Sequence, residues 1–249
     1  MISVARISRS VSVLVLFGAA AIAACGGGEK STGEAHTTAG KVDPDKAKAL
    51  ERADNAAELV SDLKDKVPRG VIDRTQCVVA IPSMKKGGVI IGAASGAGYS
   101  TCKTANGWSA PTPVSIGGGT FGAQLGYQDM DLLALVTSPK GKKGLASGNF
   151  KVGADASATA GPVGTGVGAG TDWNSNADMV SYSRSKGLFA GAELNGTSIS
   201  LDKDSAKALY GPGHDMNALL SGNVPATADM NTQKFIGAVR SVFGDGMMK

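Results

Sequence analysis

Residues 77–103 read CVVAIPSMKKGGVIIGAASGAGYSTCK, and this stretch decides the class of the fold. Apolar runs at Cys77–Ile81, Val89–Ile91 and Tyr99–Lys103 are separated by glycines and small residues. Short runs bounded by turn residues are typical of antiparallel strands. The glycines within Gly92–Gly98 allow two backbones to approach closely, or take positive φ in turns. The stretch therefore predicts a β-sheet core.

Short apolar runs separated by glycines continue to residue 201. Segments with helical periodicity precede and follow this region. The further candidate strands are Thr120–Tyr127, Met130–Thr137, Phe150–Ala160, Met179–Ser183, Leu188–Leu194 and Thr197–Leu201. The candidate helices are Asp43–Lys66, Asp204–Tyr210, Met216–Leu220 and Thr227–Phe243. This arrangement predicts an α+β fold with a mainly antiparallel β-sandwich or barrel-like centre, an amino-terminal amphipathic helix and carboxy-terminal helices.

The amino-terminal helix has a capping residue, Asp43, and a proline suited to its first turn, Pro44. Its apolar stripe is predicted to contain Ala47, Leu50, Ala57, Val60 and Val67, with Leu63 nearby. Residues 41–66 carry six basic and seven acidic side chains, so the segment lacks the positive charge of a membrane-surface helix. We expect this helix to pack on the core.

The composition excludes several classes of protein. An apolar fraction of 42% is too high for a disordered polymer, and the 36 glycines follow no triplet period. Two histidines and three cysteines argue against a multi-histidine metal centre. There is no run of about 18 apolar residues that could span a bilayer. We therefore expect no resident metal and no cofactor.

Motifs for catalysis are weak. The glycine clusters Gly92–Gly98 and Gly161–Gly170 lack a following Gly-Lys-Ser or Gly-Lys-Thr, so phosphate cradling is disfavoured. His214 beside Asp215 is interpreted as a loop pair, because no partner for a catalytic triad is identifiable. A hydrolytic or redox enzyme would need a pocket that brings His214, or a free Cys77, beside a base.

Two further features are interpreted as structural. Asp129 and Asp131 alternate on one face of a strand, where they mark a solvated strand edge. The alternative is that the paired carboxylates do acid–base work or hold a cation. Trp108 and Trp173 are interpreted as packing residues or interface anchors.

Residues 1–24 contain a charged, an apolar and a small-residue segment in the order that is typical of an export signal. Arg6 and Arg9 come first, a mostly apolar stretch from Val11 to Ala24 follows, and small residues lead into Cys25. We therefore expect this segment to be removed from the mature protein.

The end of the signal resembles a bacterial lipobox, because Ile22-Ala23-Ala24-Cys25 ends on a thiol that would accept diacylglycerol. The alternative is an ordinary signal with a chance cysteine. Residues 25–42 predict a flexible tether, and residues 43–249 a single domain. Gly26 replaces the aspartate associated with inner-membrane retention. We expect a lipid-anchored protein of the bacterial envelope, at the periplasmic face of the outer membrane.

Export would leave Cys77 and Cys102 in an oxidising compartment, where paired thiols usually form a disulfide. Closing this loop would stabilise the fold by about 3 kcal/mol in the chain-entropy model. The alternatives are two buried free thiols or a redox pair, although no Cys-x-x-Cys spacing supports the second.

Basic side chains gather in two islands. The first island contains Arg69, Arg74, Lys85, Lys86 and Lys103, and the second contains Lys140, Lys142, Lys143 and Lys151. The Lys85-Lys86 pair is interpreted as exposed-loop cations beside an apolar strand, and Pro139–Lys143 as a second cationic loop. Lysines near an anionic lipid surface contribute roughly 1 kcal/mol each, although solubilising charge explains both islands equally well. Export disfavours nucleic acid as a partner.

Six ordered blocks carry a family resemblance. They are Gly107–Pro111 (GWSAP), Gly117–Gly119 (GGG), Gly153–Gly164 (GADASATAGPVG), Tyr182–Gly191 (YSRSKGLFAG), Glu193–Gly196 (ELNG) and Ala208–Gly211 (ALYG). On these blocks the chain resembles the SYLF-domain family, also described as the lipid-binding or actin-binding domain of a fungal endocytic protein, over about residues 45–245. The two cysteines and Thr171-Asp172-Trp173 are similar to a bacterial lipoprotein branch.

The resemblance implies a non-enzymatic domain that binds phospholipids, with phosphoinositide or phosphatidic-acid preference in eukaryotic members. Those members use a basic amphipathic amino-terminal helix at membranes, whereas the helix here is slightly acidic. We therefore place the lipid contact on the basic islands. The predicted headgroup ligands are Lys85, Lys86, Lys140, Lys142 and Lys143, with Arg69, Arg74 and Lys103 in second rank. The alternative function is a structural or assembly module that binds a protein partner in the envelope.

Overall fold

The glycine-punctuated middle of the chain forms one ten-stranded sheet in the computed structural model, which describes residues 43–88, 91–121, 126–161, 176–185, 188–191 and 194–247. Its strands are β1 (Cys77–Gly88), β2 (Ile91–Thr104), β3 (Gly107–Trp108), β4 (Thr112–Phe121), β5 (Gly126–Val136), β6 (Asn149–Lys151), β7 (Ala158–Ala160), β8 (Met179–Ser185), β9 (Leu188–Gly191) and β10 (Thr197–Leu201). The helices are α1 (Pro44–Ser61), α2 (Arg69–Arg74), α3 (Pro139–Ala146), α4 (Lys203–Tyr210), α5 (Met216–Leu220) and α6 (Met230–Phe243). The predicted export signal, Cys25 and the tether lie outside the described residues.

The sheet is mainly antiparallel and curls into a half-barrel. The strand order is β6-β10-β4-β2-β1-β5-β8-β7, with β3 paired to β2 and β9 paired to β8. Among the described strands, β7 and β8 form the one parallel pair. The predicted α+β class, its antiparallel centre and its flanking helices are confirmed.

Apolar side chains cover both faces of the sheet. On one face Val78 packs in a cluster with α1, α2 and α6 that includes Phe235. On the other face Val79 packs in a second cluster with α3 and α5 that includes Met216. Because successive strand residues point to opposite faces, a strand buried on both faces has a continuous apolar run such as Cys77–Ile81.

Helix α1 begins where the sequence predicts and packs on the core. The Asp43 side chain accepts a hydrogen bond from the Asp45 amide at 2.9 Å. Its buried residues are Ala49, Ala53, Ala56, Ala57, Leu59 and Val60. The predicted stripe is wrong at its amino-terminal end, since Ala47 is exposed and Leu50 is half-buried. Small alanines, which let α1 approach α6 and the sheet closely, mark the buried face instead.

Two strand predictions are wrong. The segment Thr120–Tyr127 is divided between β4 and β5. The segment Phe150–Ala160 is interrupted by a turn in which Gly153 has a φ of +91° and the Asp155 carboxylate accepts from the Lys151 amide at 2.7 Å. The parts of the predicted segments that lie outside the described residues are 89–90, 122–125, 162–175, 186–187 and 192–193, so the predictions for Trp173 and for most of Gly161–Gly170 fall there.

Asp131 belongs to an interior strand, so its interpretation as part of a solvated strand edge is wrong. Strand β5 lies between β1 and β8. The Asp131 carboxylate accepts from the Ser83 amide at 2.9 Å and from Arg184 Nε at 2.8 Å. Arg184 also pairs with Asp62, the residue that caps α1. Ser83 has a φ of +56° within an irregularity of β1, so Asp131 stabilises this strained position.

Candidate functional site

A cleft of about 1320 Å³ opens at the end of the sheet where β2, β5 and β10 end and β1 begins. Its walls are α3, α4, α5 and the loop between the last two. The lining residues fall within 102–105, 139–148, 201–207 and 211–221, together with Gln76. We call this cleft the α3–α5 groove. It is larger than the roughly 300–1,000 Å³ that small-molecule sites usually enclose.

The floor of the groove is apolar and continuous with the core. Met216 and Leu220 line the groove and are almost completely buried, at 2% and 1% exposed. Cys102 also lines it, and its Sγ is joined to that of Cys77 in a disulfide between directly opposed residues of β1 and β2. Cys77 is therefore not a free thiol in this structure.

The rim of the groove is cationic. Lys142 and Lys143 line it from α3, and Lys203 and Lys207 line it from α4. Asp215 is the one acid among the described lining residues, and its carboxylate caps α5 by accepting from the Ala218 amide at 2.7 Å. The groove therefore combines an apolar floor with an excess of positive charge at its edge.

Helix α3 places the lysines of the second island, so the interpretation of Pro139–Lys143 as a loop is wrong. The Ser138 hydroxyl caps the helix by accepting from the Gly141 amide at 3.0 Å. Glycines lower helix propensity, which hides this helix in the sequence. Their small size is required here, because a methyl group on Gly144 would lie 2.8 Å from the ring of Phe150.

Asp178 holds α3 against the chain that leads into β8. Its carboxylate accepts from the Ser138 hydroxyl at 2.5 Å and from the Ser157 amide at 2.9 Å. Lys140 Nζ lies 3.7 Å from the same carboxylate. Burial alone would raise the pKa of Asp178, but these hydrogen bonds and the lysine charge outweigh it and hold the pKa below its ordinary value. Lys140 is thus engaged in an ion pair.

Helix α4 is fixed to α1 through Asp202. The Asp202 carboxylate accepts from Arg52 at 2.7 Å and from the Ser205 hydroxyl at 2.8 Å. Burial would raise the pKa of Asp202, but the bonds from Arg52 and Ser205 outweigh it and lower that pKa. This anchoring positions Lys203 and Lys207, which sequence reasoning missed. Lys207 lies on the predicted helix Asp204–Tyr210 and Lys203 directly precedes that helix, four residues earlier, which was the available signal.

Two of the predicted basic residues are held by contacts within the fold. Lys142 Nζ donates to the backbone carbonyl of Lys103 at 2.5 Å. Lys103 Nζ lies 5.7 Å from the centre of the Trp108 ring. Burial lowers the pKa of both lysines. By contrast, the ammonium groups of Lys143, Lys203 and Lys207 make no hydrogen bond or ion pair with any described residue.

The interpretation of Lys85-Lys86 as a loop pair is wrong, because both residues lie inside β1. Lys85 is exposed opposite Asp129 of β5, whereas Lys86 is only 9% exposed. β1 extends past Ser83 because β2 and β5 pair with it on both sides. Lys85 lies eight residues from Cys77, about 25 Å along a strand. The structure therefore does not bring Lys85 and Lys86 to the groove.

The remaining candidates lie outside the groove. Arg69 and Arg74 stand at the two ends of α2, and neither lines the groove. Trp108 packs as predicted: its Nε1 donates to the Gly244 carbonyl at 2.8 Å, and its ring meets Phe243 edge-on. Within the described ranges no group of three or more acidic, histidine or cysteine side chains could hold a metal ion. No helix in those ranges is long and apolar enough to cross a membrane.

Comparison with known proteins decides the family. The family model named Ysc84, described as "Las17-binding protein actin regulator", matches residues 117–242, just over half of the chain. The chain belongs to the Ysc84 family. This is the family that the sequence blocks predict under the name SYLF, and the matched segment contains α3, α4 and α5.

Several relatives of the Ysc84-family chain are eukaryotic. It is 34% identical over 169 residues to SH3 domain-containing protein PJ696.02 of Schizosaccharomyces pombe, covering 66% of this chain and 39% of that protein. It is 28% identical to Protein YSC84 of Saccharomyces cerevisiae, over 66% of this chain and 36% of that protein. It is 28% identical to human SH3 domain-containing YSC84-like protein 1, over 65% of this chain and 48% of that protein.

The chain spans less than half the length of these relatives. The family description and the relatives' names are those of binding and regulatory proteins rather than of enzymes. No solved structure matches the chain.

Proposed function

We propose that this Ysc84-family protein binds anionic phospholipids through its folded domain, without catalysis, and that the α3–α5 groove is the contact site. The observation that carries the proposal is the apolar floor of the groove beneath a rim of lysines. Lys143, Lys203 and Lys207 stand on two walls with their ammonium groups uncommitted to described residues. Lysines near an anionic lipid surface each contribute about 1 kcal/mol.

The lysines that are engaged within the fold have a supporting role in this proposal. Lys142 donates to the Lys103 carbonyl, Lys103 stacks on Trp108 and Lys140 is paired with Asp178, so these lysines are less available to a headgroup. Lys85, Lys86, Arg69 and Arg74 do not line the groove. We therefore rank the groove lysines first among the predicted headgroup ligands.

The proposed setting is the bacterial envelope. Acylation of Cys25, after removal of residues 1–24, would anchor the chain at the periplasmic face of the outer membrane without a spanning segment. A flexible tether over residues 25–42 would span about 20–25 Å on average. The domain would then remain close to phospholipid headgroups at a high effective concentration.

A second candidate function is binding of a protein partner. The family description names Las17 binding and actin regulation, and one relative is named LAS seventeen-binding protein 3. In the proposed envelope location, the partner would be another envelope protein. Crosslinking in cells separates the two functions, because a stable protein adduct would favour a protein partner.

Vesicle flotation tests the lipid proposal. The mature chain, residues 25–249 with Cys25→Ser to block acylation, is expected to float with vesicles that contain phosphatidic acid and to remain unbound with neutral phosphatidylcholine vesicles. Combined Lys143→Glu, Lys203→Glu and Lys207→Glu substitutions should lower binding at least tenfold, because three attractive charges become repulsive.

The control makes the same change of charge outside the groove. Lys48, Lys64 and Lys66 are exposed, and none of them lines the groove. Their combined replacement by glutamate should reduce binding much less. Equal binding to neutral and anionic vesicles would contradict the proposal, as would no binding to either. Loss of binding only in a Lys85→Glu and Lys86→Glu variant would move the contact to β1.

A further inference from the structure

We infer that the α3–α5 groove binds one anionic lipid molecule with its acyl chain inside, so that the protein holds lipid as a monomer as well as touching a membrane surface. This inference rests on the proposed function and specifies its ligand. A headgroup contact alone needs only surface lysines. The apolar floor therefore requires a second explanation.

The first argument for an acyl chain is the apolar floor of the groove. Large exposed apolar surfaces are uncommon on soluble proteins, and where they occur they mark ligand or partner sites. Met216 and Leu220 belong at once to the groove lining and to the buried cluster of the sheet. A ligand that reaches them must present apolar atoms at its inner end. The flexible side chain of Met216 can adapt to an acyl chain of variable conformation.

The second argument is the distribution of charge around the groove. Lys143 on α3 and the pair Lys203 and Lys207 on α4 line the walls, whereas Cys102, Met216 and Leu220 contribute apolar lining next to the core. Asp215 is the one acidic residue among the described lining residues, and its carboxylate accepts a hydrogen bond at the start of α5. The groove is thus complementary to a molecule with an anionic head and an apolar tail.

Other anionic ligands fit this arrangement less well. An acidic peptide would place backbone amides and carbonyls against the apolar floor, where they would lack hydrogen-bond partners. A nucleotide would likewise bury polar base and sugar atoms there. An acyl chain leaves no polar group unsatisfied, so the lipid is the occupant that the lining favours.

Calorimetric titration with lysophosphatidic acid, kept below its micelle concentration and without vesicles, tests the inference. The mature chain, residues 25–249 with Cys25→Ser, is expected to bind one molecule per protein. Adding Ala146→Phe, which places a ring in the groove from the half-buried last residue of α3, should weaken binding at least tenfold. The matched control is Ala47→Phe, on the exposed face of α1 outside the groove, which should leave the affinity unchanged.

The outcomes separate this inference from the proposed function. Flotation with phosphatidic-acid vesicles but no binding of the monomeric lipid would overturn the inference and leave the proposed function intact. Absence of both would overturn both. Monomer binding that Ala146→Phe leaves unchanged would overturn the assignment to the groove, provided that circular dichroism shows both phenylalanine variants to be folded.

Discussion

Gly98→Ala is expected to lower the free energy of unfolding by about 3 kcal/mol, and to leave little folded protein if the domain is marginally stable. A methyl group at this position would lie 1.9 Å from the Ala80 carbonyl oxygen and 2.8 Å from the Ile81 Cα. Both are backbone atoms of β1, so no side-chain rotation relieves the overlap. The two central strands would have to separate. Chemical denaturation followed by circular dichroism measures the effect.

The control for this substitution is Gly237→Ala in α6. No atom lies within 4 Å of a methyl group placed on Gly237, and the residue is exposed. Alanine should therefore raise the stability by about 0.5–1 kcal/mol through helix propensity. A denaturation midpoint for Gly98→Ala equal to that of the unsubstituted protein would contradict the close strand approach.

Removing the disulfide with Cys77→Ala and Cys102→Ala together is expected to lower the free energy of unfolding by about 3 kcal/mol. The bridge closes a loop with a sequence separation of 25, and its loss restores conformational freedom to the unfolded chain. Chemical denaturation with and without reductant measures this effect. The unsubstituted protein should lose stability in reductant, whereas the double variant should not respond.

Two results would contradict this prediction. Stability unchanged in reductant, with mass analysis showing the thiols reduced, would mean that the bridge contributes nothing. An equal response of the double variant to reductant would mean that the reductant acts elsewhere. Intact-mass analysis before reduction also tests whether Cys77 and Cys102 are bridged in the protein from cells.

The class of the fold was predictable because its signals are local. Runs such as Cys77–Ile81 show the sheet, and the Asp43-Pro44 start shows α1. The face of α1 was harder to predict, because its contact is built from alanines that a search for large apolar residues overlooks. Strand length was set by tertiary pairing: β1 continues through Pro82 and Ser83 because β5 and β2 pair with it on both sides.

The candidate site was only partly predictable. Lys142 and Lys143 were identified from charge, but Gly141 and Gly144 hid the helix that carries them. Lys203 was missed because its importance depends on a neighbour from α3, some sixty residues earlier in the chain. The groove is formed by α3, which follows β5, and by α4 and α5, which both follow β10, and no sequence motif predicts that they lie together.

The most direct test of the central claim is to map where the acyl chain of a bound anionic lipid lies. A phosphatidic-acid analogue with a photoreactive diazirine at the end of one acyl chain is bound to the mature chain, residues 25–249 with Cys25→Ser, and is then cross-linked. Peptide mass spectrometry locates the adduct. The groove assignment predicts labelling within α3 and α5, around Ala146, Met216 and Leu220. Labelling confined to β1 near Lys85, or to α1, would contradict it.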